Sequence, residues 1–366
     1  MHVSGYRWVR RLPARLFVAV LLLTSFGPIA RAADFVSPLA QVDDARNVHG
    51  RDVRCGKPPP PVVSLKLTSR YGNDDSARDD VDQEALLQFN SEMAPLREYL
   101  KAVTKSANRY AETGIASHAE CTIHWLAAWA QGGALGSMGN HTAEYKRATS
   151  LVGLSTAYLL VRHAVPDDGA KALIAHWLDA RAKQMVVHFE ELGGKRSARN
   201  NHRYWAGLAA GLVAVASGDK DLMDWAMATL RLGLCSATSD GALPAELERG
   251  KLALHYHLFA LNALIPLARL ADVNHVSFRS DCEDSLDRIV QFSVRSVFDP
   301  HLMEKLSGFR QKPIDWEFED RNLLAFVALY DSQKLNNLPE AGKLLKVRPH
   351  KMTDLGGNVE LVYGVP

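Results

Sequence analysis

Asn200–Ala216, NNHRYWAGLAAGLVAVA in one-letter code, decides the fold. An asparagine at its start can cap a helix by accepting from the first free backbone N–H groups. Past Trp205 the stretch holds only Ala, Gly, Leu and Val, and side chains this small let neighbouring helices approach closely. Apolar periodicity predicts those neighbours near 81–112, 118–131, 142–163, 169–191, 220–233, 250–271, 281–298 and 319–333, with 201–217 among them. Stop signals fall between them at Gly132-Gly133, Pro166, Gly193-Gly194, Gly218 and Gly241. Residues 34–64 read as extended or irregular, ending in Pro58–Pro61, and the turn-rich stretch Leu65–Ala77 reads as a loop. The tail Leu355–Pro366 has room for one short strand. No exact repeat is visible and no linker interrupts the middle. The expected class is therefore all-α: helical hairpins in an incomplete (α/α) toroid or barrel, as one domain over 34–366.

The N-terminus reads as an address. Arg7, Arg10, Arg11 and Arg15 precede the apolar run Leu16–Leu23, and Ala30-Arg31-Ala32 fits a signal-peptidase site, so residues 1–33 are expected to be cleaved. The apolar run is too short to span a membrane, and no later segment reaches the roughly 20 apolar residues required. Five of the 43 Lys and Arg lie in 1–33 and no acid does, which leaves 38 against 41 Asp and Glu and a formal charge of −3. A polyanion must then be met by a local cluster of bases. No basic run or nucleic-acid motif occurs, which argues against DNA and RNA. Cys55, Cys121, Cys235 and Cys282 make an even number, as exported disulfide proteins have, and three pairings are open. The absence of a C-x-x-C pair argues against a zinc ribbon. Periplasmic or secreted placement follows, and the chain is expected to act as a monomer.

Two segments hold more chemistry than structural helices need. In Asn200–Trp205 a cap explains one asparagine, not Asn, His, Tyr and Trp together. If this segment is helical, His202 and Trp205, and Asn201 and Trp205, share a face. In Leu247–His257, Arg249 and Tyr256 are seven residues apart, which on a continuous helix places them on one side about 10 Å apart. A surface arginine and a half-buried tyrosine would satisfy that spacing equally. His255 and His257 diverge at i, i+2 and cannot share an ion, so no metal and no cofactor is expected.

Asn, His, Arg and Tyr without a carboxylate pair suit β-elimination on an acidic sugar. The uronate C5 proton is only weakly acidic until hydrogen-bond donors or a cation neutralise the neighbouring carboxylate. Asn201 and Arg249 are suitable donors. A base then takes H5 and an acid protonates O4. In mannuronate both lie on one face of the ring, so one tyrosine can perform both steps.

N-N-H-x-Y-W at Asn200–Trp205 and L-P-x-E-L-x-R-x-x-x-A-L-x-Y-H at Leu243–His257 resemble the two central signatures of the alginate lyases of polysaccharide lyase family 5. Thr68–Tyr71 and Asp75–Arg78 resemble that family's substrate-covering loop, near 65–78 here. Cys121–Leu135 (CTIHWLAAWAQGGAL) and Asn140–Thr142 match in type and order. The likeness runs from about Cys55 to about Ala271. It implies a periplasmic or secreted (α/α) toroid that cleaves mannuronate-rich alginate, an anionic polysaccharide, without an essential metal. It implies Asn201 and Arg249 as carboxylate neutralisers, Tyr256 as acid and base, and His202 as its partner in proton abstraction. Ser69, Arg70, His141, Thr142 and Tyr256 fall where the family contacts sugar, and Cys55 is implied to bond Cys121. Arg70 departs from the family's usual lysine, and its planar fork is less compact than an ammonium.

Two other classes compete. A glycoside hydrolase needs two carboxylates across the scissile bond, and Asp240, Glu246 and Glu248 are candidates that helix capping and arginine pairing explain more simply. A noncatalytic sugar-binding relative would not need the full set Asn201, His202, Arg249 and Tyr256.

Overall fold

Five of the long helices begin at an Asp or Asn whose side chain accepts a backbone N–H of the first turn: Asp82, Asn140, Asp167, Asn200 and Asp219. The helices they open are α1 (Gln83–Thr113), α3 (His141–Val161), α4 (Asp168–Glu191), α5 (Asn201–Ser217) and α6 (Lys220–Cys235), while α2 is Ala116–Gln131. Then follow the short α7 (Pro244–Leu247), α8 (Ala253–Val273), α9 (Ser285–Phe298) and α10 (His301–Ser307). The computed structural model describes residues 1–2, 34–42, 53–72, 75–318, 320–330, 334–335, 337–338, 341–348 and 350–365. Of the expected leader at 1–33, residues 3–33 lie outside the described residues, as do Asn73 and Asp74 of the covering loop.

Helices alternate between two layers. In one, α1 packs on α3, α3 on α5 and α5 on α8, while in the other α2 packs on α4 and α6 on α9. The links are short; only Gly114 and Ile115 separate α1 from α2, and such links make hairpins. α5 is buried from Arg203 to Val215 among α3, α4, α6 and α8. Its glycines are what allow this. A Cβ at Gly207 would stand 2.6 Å from Thr229 Cγ2, and one at Gly211 2.5 Å from Leu270 Cδ2. The ring is completed by irregular chain: a 3₁₀ segment Arg321–Ala328 packs on α8, and the strands Lys351–Met352 and Gly357–Asn358 link it to α1. Residues 32–366 group as one unit.

Several expectations shift. The helix expected over 319–333 is the 3₁₀ segment Arg321–Ala328, with 319 and 331–333 outside the described residues. The tail does contain a strand, but a short helix Val359–Tyr363 follows it. α8 starts at Ala253, not 250, because Gly250–Leu252 forms a 3₁₀ turn. Within the stretches read as irregular, Ser64–Leu65 pairs in parallel with Ser137–Met138. Cys55 bonds Cys121, as the resemblance implied, and Cys235 bonds Cys282.

Candidate active site

A cavity of about 440 Å³ is walled by the first turns of α3 and α5, the turn entering α8, and the segment preceding α1. Its wall carries five permanent cations, Arg70, Arg78, Lys146, Arg196 and Arg249, together with His141 and His202, and among the described residues no Asp or Glu lines it. Such a wall concentrates a polyanion locally, whatever the small net charge of the whole chain.

Arg249 does not sit two helical turns from Tyr256. Because α8 begins only at Ala253, the 3₁₀ turn folds Arg249 back over the tyrosine, its guanidinium carbon 3.5 Å from the ring centroid. The helical spacing of about 10 Å is thus replaced by a cation–π contact. Burial pushes the Tyr256 phenol above its ordinary pKa, while Arg249 acts in the opposite sense. Its hydroxyl lies 2.5 Å from that of Tyr71.

His202, in the first turn of α5, stacks on Tyr145 with centroids 3.9 Å apart. Burial, with Arg249, Lys146, Arg70 and Arg196 nearby, holds its pKa well below the usual value. The imidazole is therefore neutral near pH 7, and its surroundings make it a weaker base than a free imidazole until an anion offsets the neighbouring cations. Asn200 caps α5 and lines the cavity, but Asn201 does not. Asn201 is fully buried, with its backbone N–H and Nδ2 donating to the two Glu246 carboxylate oxygens at 2.5 and 2.8 Å. Burial pushes the Glu246 carboxyl up to about 7, against the pull of Asn201 and Arg249. Trp205, expected to share the face, faces the core: its ring packs on Phe259 and its Nε1–H donates to the Phe259 carbonyl.

The segment over the cavity is held by contacts from below. Arg249 donates to the Arg78 carbonyl at 2.9 Å and Arg196 to the Ser76 carbonyl at 2.8 Å. The Lys251 backbone N–H donates to Asp79, and the Lys251 ammonium pairs with Asp80. Gly250 has positive φ, and a Cβ there would collide with the Asp79 carboxylate, so only glycine fits. Ser69 Oγ accepts from Arg78 Nη1 at 2.8 Å. Arg70 lies over the Tyr71 and Phe89 rings. Asn140 joins segment to floor, capping α3 while its Nδ2 donates to the Leu67 carbonyl. His141 and Thr142 line the same cavity, His141 Nδ1 being 3.4 Å from His188 Nε2.

His257 is occupied elsewhere: its Nε2 accepts from the Leu243 N–H and its Nδ1 bonds the Ala253 carbonyl. His255 faces Asp320 at 3.5 Å. Of the hydrolase candidates, Glu246 holds Asn201 rather than an arginine, Glu248 lies 3.6 Å from Arg196, and neither they nor Asp240 line the cavity. Sequence reading assigned no role to Tyr145, Lys146 or Arg196, named Tyr71 and Arg78 only within the covering-loop resemblance, and offered Glu246 only as a hydrolase carboxylate. A signal existed for two of these residues: Tyr145 and Lys146 stand four residues after His141 and Thr142, so they share a helical face with the pair that the resemblance implied for sugar contact.

A family model described as Alginate lyase matches residues 59–303. The chain belongs to the alginate lyase family. All the cavity residues fall inside the matched span. An alginate lyase of Pseudomonas aeruginosa is 30% identical over 96% of both chains. One from Azotobacter vinelandii is 31% identical, covering 85% of this chain and 86% of its own. The crystal structure of alginate lyase A1-III from Sphingomonas species A1 superposes with a TM-score of 0.71 at 23% identity, over 89% of this chain and 92% of that one. A tetrasaccharide complex of an A1-III variant gives 0.72 at 22% identity, over 89% and 91%. At that identity the likeness is one of fold, the (α/α) toroid that this alginate lyase family member shares.

Proposed function

We propose that the protein is a polysaccharide lyase that depolymerises mannuronate-rich alginate by β-elimination, outside the cytoplasm. The observation that carries this reading is the wall of five cations without a carboxylate among the described residues, closing on Tyr256. Hydrolysis needs two carboxylates at the scissile bond, and the described wall of this cavity offers none.

Arg249 neutralises the uronate carboxylate from the cavity wall, and Asn201, buried just behind that wall, adds the second hydrogen of its Nδ2 once the sugar opens the wall to it, lowering the cost of charge at C5. A sugar in the cavity displaces the Tyr71 hydroxyl from Tyr256. Neutral His202 accepts the Tyr256 phenol proton, and the phenolate removes H5. The C5–H electron pair becomes the C4–C5 double bond as C4–O4 breaks, and O4 leaves with the proton that Tyr256 has just gained. Arg249 above the ring favours the phenolate. Ser69, Arg70, His141 and Thr142 orient the flanking sugars.

The leader-like residues 1–33 and two disulfides favour an oxidising compartment, periplasm or medium. Initial rates on block-pure poly-mannuronate, poly-glucuronate and poly-guluronate, followed by ultraviolet absorbance of the new double bond, test the reading. Guluronate has the opposite C5 configuration, which puts H5 and O4 on different faces. Poly-mannuronate should be cut fastest; equal or faster cleavage of poly-guluronate would remove Tyr256 as common acid and base.

A further inference from the structure

Beyond the inner wall of the catalytic cavity lies a second one of about 300 Å³, and Lys146 and Thr149 of α3 line both. Its remaining cations are Arg97 and Lys351, its one carboxylate among the described residues is Asp354, and Phe89, Met93 and Met352 form an apolar side. Apolar walls with a few converging polar groups suit a sugar ring, whose C–H face packs while its hydroxyls and carboxylate are bonded.

Lys146 stands between the two cavities. Its ammonium lies 6.0 Å from the Phe89 ring centroid, and the Arg70 guanidinium approaches the same ring at 5.2 Å. Among the described residues no hydrogen bond or ion pair reaches the Lys146 ammonium; burial, together with Arg70 and Arg97, lowers its pKa, and Asp354 opposes this only through space. This half-buried ammonium has no counter-ion of its own among the described residues and sits beside two cavities of net positive wall. The catalytic scheme above makes no use of it.

We propose that the second cavity is a further uronate-binding arm of the cleft, in which Lys146 pairs with the carboxylate of the sugar crossing between the cavities and Arg97 and Lys351 meet the carboxylate beyond it. This rests on the polyuronate reading of the site. The polymer thus runs through both cavities, on one side of the scissile bond, and oligomers long enough to fill the arm are held more tightly than short ones.

Size-defined mannuronate oligosaccharides, from trimer to octamer, test this in two ways with the disulfide-bonded protein. Cleavage is followed by ultraviolet absorbance, and binding of uncut oligomers to Tyr256→Phe protein by calorimetry. A charge-assisted contact is worth about tenfold or more in affinity. Arg97→Ala/Lys351→Ala should therefore lower kcat/KM and affinity for the octamer about tenfold more than for the trimer. Lys146→Met should raise KM by a similar factor more on the octamer than on the trimer, and Lys146→Arg should recover part of that loss. Cleavage whose dependence on length is the same in wild type and variants overturns the arm and leaves the lyase reading standing. A protein that cuts nothing, yet loses octamer affinity selectively in the double variant, overturns the lyase reading and keeps the arm.

Discussion

Replacing Glu246 by glutamine separates the cost of the buried carboxyl from its use. The group is fully buried and its pKa is pushed from an ordinary 4.5 to about 7. Below pH 4.5 it is protonated folded and unfolded alike. Between about 4.5 and 7 the unfolded chain releases the proton while the folded one keeps it, so stability falls as pH rises. Above 7 the full loss has accrued, roughly 3 kcal/mol for a carboxyl moved that far. Glutamine cannot ionise, so that slope should vanish from the variant. His188 and His257, both held to about 4, slope the other way over part of that window and cancel in the comparison. Urea midpoints across pH 4–8 should therefore converge at low pH and separate upward in the variant's favour above pH 7. Activity should move oppositely. The substituted amide still accepts the Asn201 N–H through its oxygen, but its NH₂ faces Asn201 Nδ2. The relief is for the Asn201 amide to turn, bringing Oδ1, now without a partner, onto that NH₂. An oxygen then stands where a donor did, and turnover on poly-mannuronate should drop about tenfold, the scale of one lost charged hydrogen bond. Superimposable pH–stability curves would show that Glu246 does not hold its proton. Unchanged turnover would show that the orientation of Asn201 is irrelevant to catalysis.

Tyr256→Phe keeps the ring under Arg249 and deletes the hydroxyl, so the fold should persist by circular dichroism while turnover falls about 10²-fold or more. Cys121→Ser opens a link between residues 66 apart in sequence, and urea unfolding should report a loss of up to about 4 kcal/mol; an unchanged midpoint would mean the bond does not form in solution. Arg70→Lys should change the ratio of poly-mannuronate to poly-glucuronate rates more than the rate on the better polymer, since the two sugars differ at C2, remote from the chemistry. Equal changes in both rates would place Arg70 outside substrate discrimination.

Local signals carried much of the architecture. Asn200 announces a helix start in the sequence and performs that role in the structure, and Asp82, Asn140, Asp167 and Asp219 cap helices whose extent periodicity had already placed. The small residues of α5 announce close neighbours, and Gly207 and Gly211 meet them. What failed was continuity: periodicity did not reveal the 3₁₀ turn at Gly250–Leu252, because that turn answers to Asp79 of the covering segment, some 170 residues away in sequence. The same limit hid Glu246, whose partner Asn201 is 45 residues off. Arg249 and Tyr256 were correctly brought together, though by a helical spacing the chain does not use. Trp205, placed by spacing on one helical face with Asn201 and His202, is drawn into the core by packing against Phe259.

The cation-lined cavity has a consequence for what happens after the bond breaks. In the proposed elimination the C5–H and C4–O4 bonds are exchanged for a C4–C5 double bond and an O4–H bond and no carboxylate is gained or lost, so both fragments leave bearing all the charge that drew the polymer in. Arg70, Arg78, Lys146, Arg196 and Arg249 cannot distinguish spent chain from fresh chain by charge. Departure then depends on how many sugars a fragment still places against the wall, and on the covering segment letting go of Arg196 and Arg249. Short fragments escape and long ones linger to be cut again, which couples the distribution of product sizes to ionic strength: added salt weakens the hold on every fragment and shifts the released pool toward longer chains.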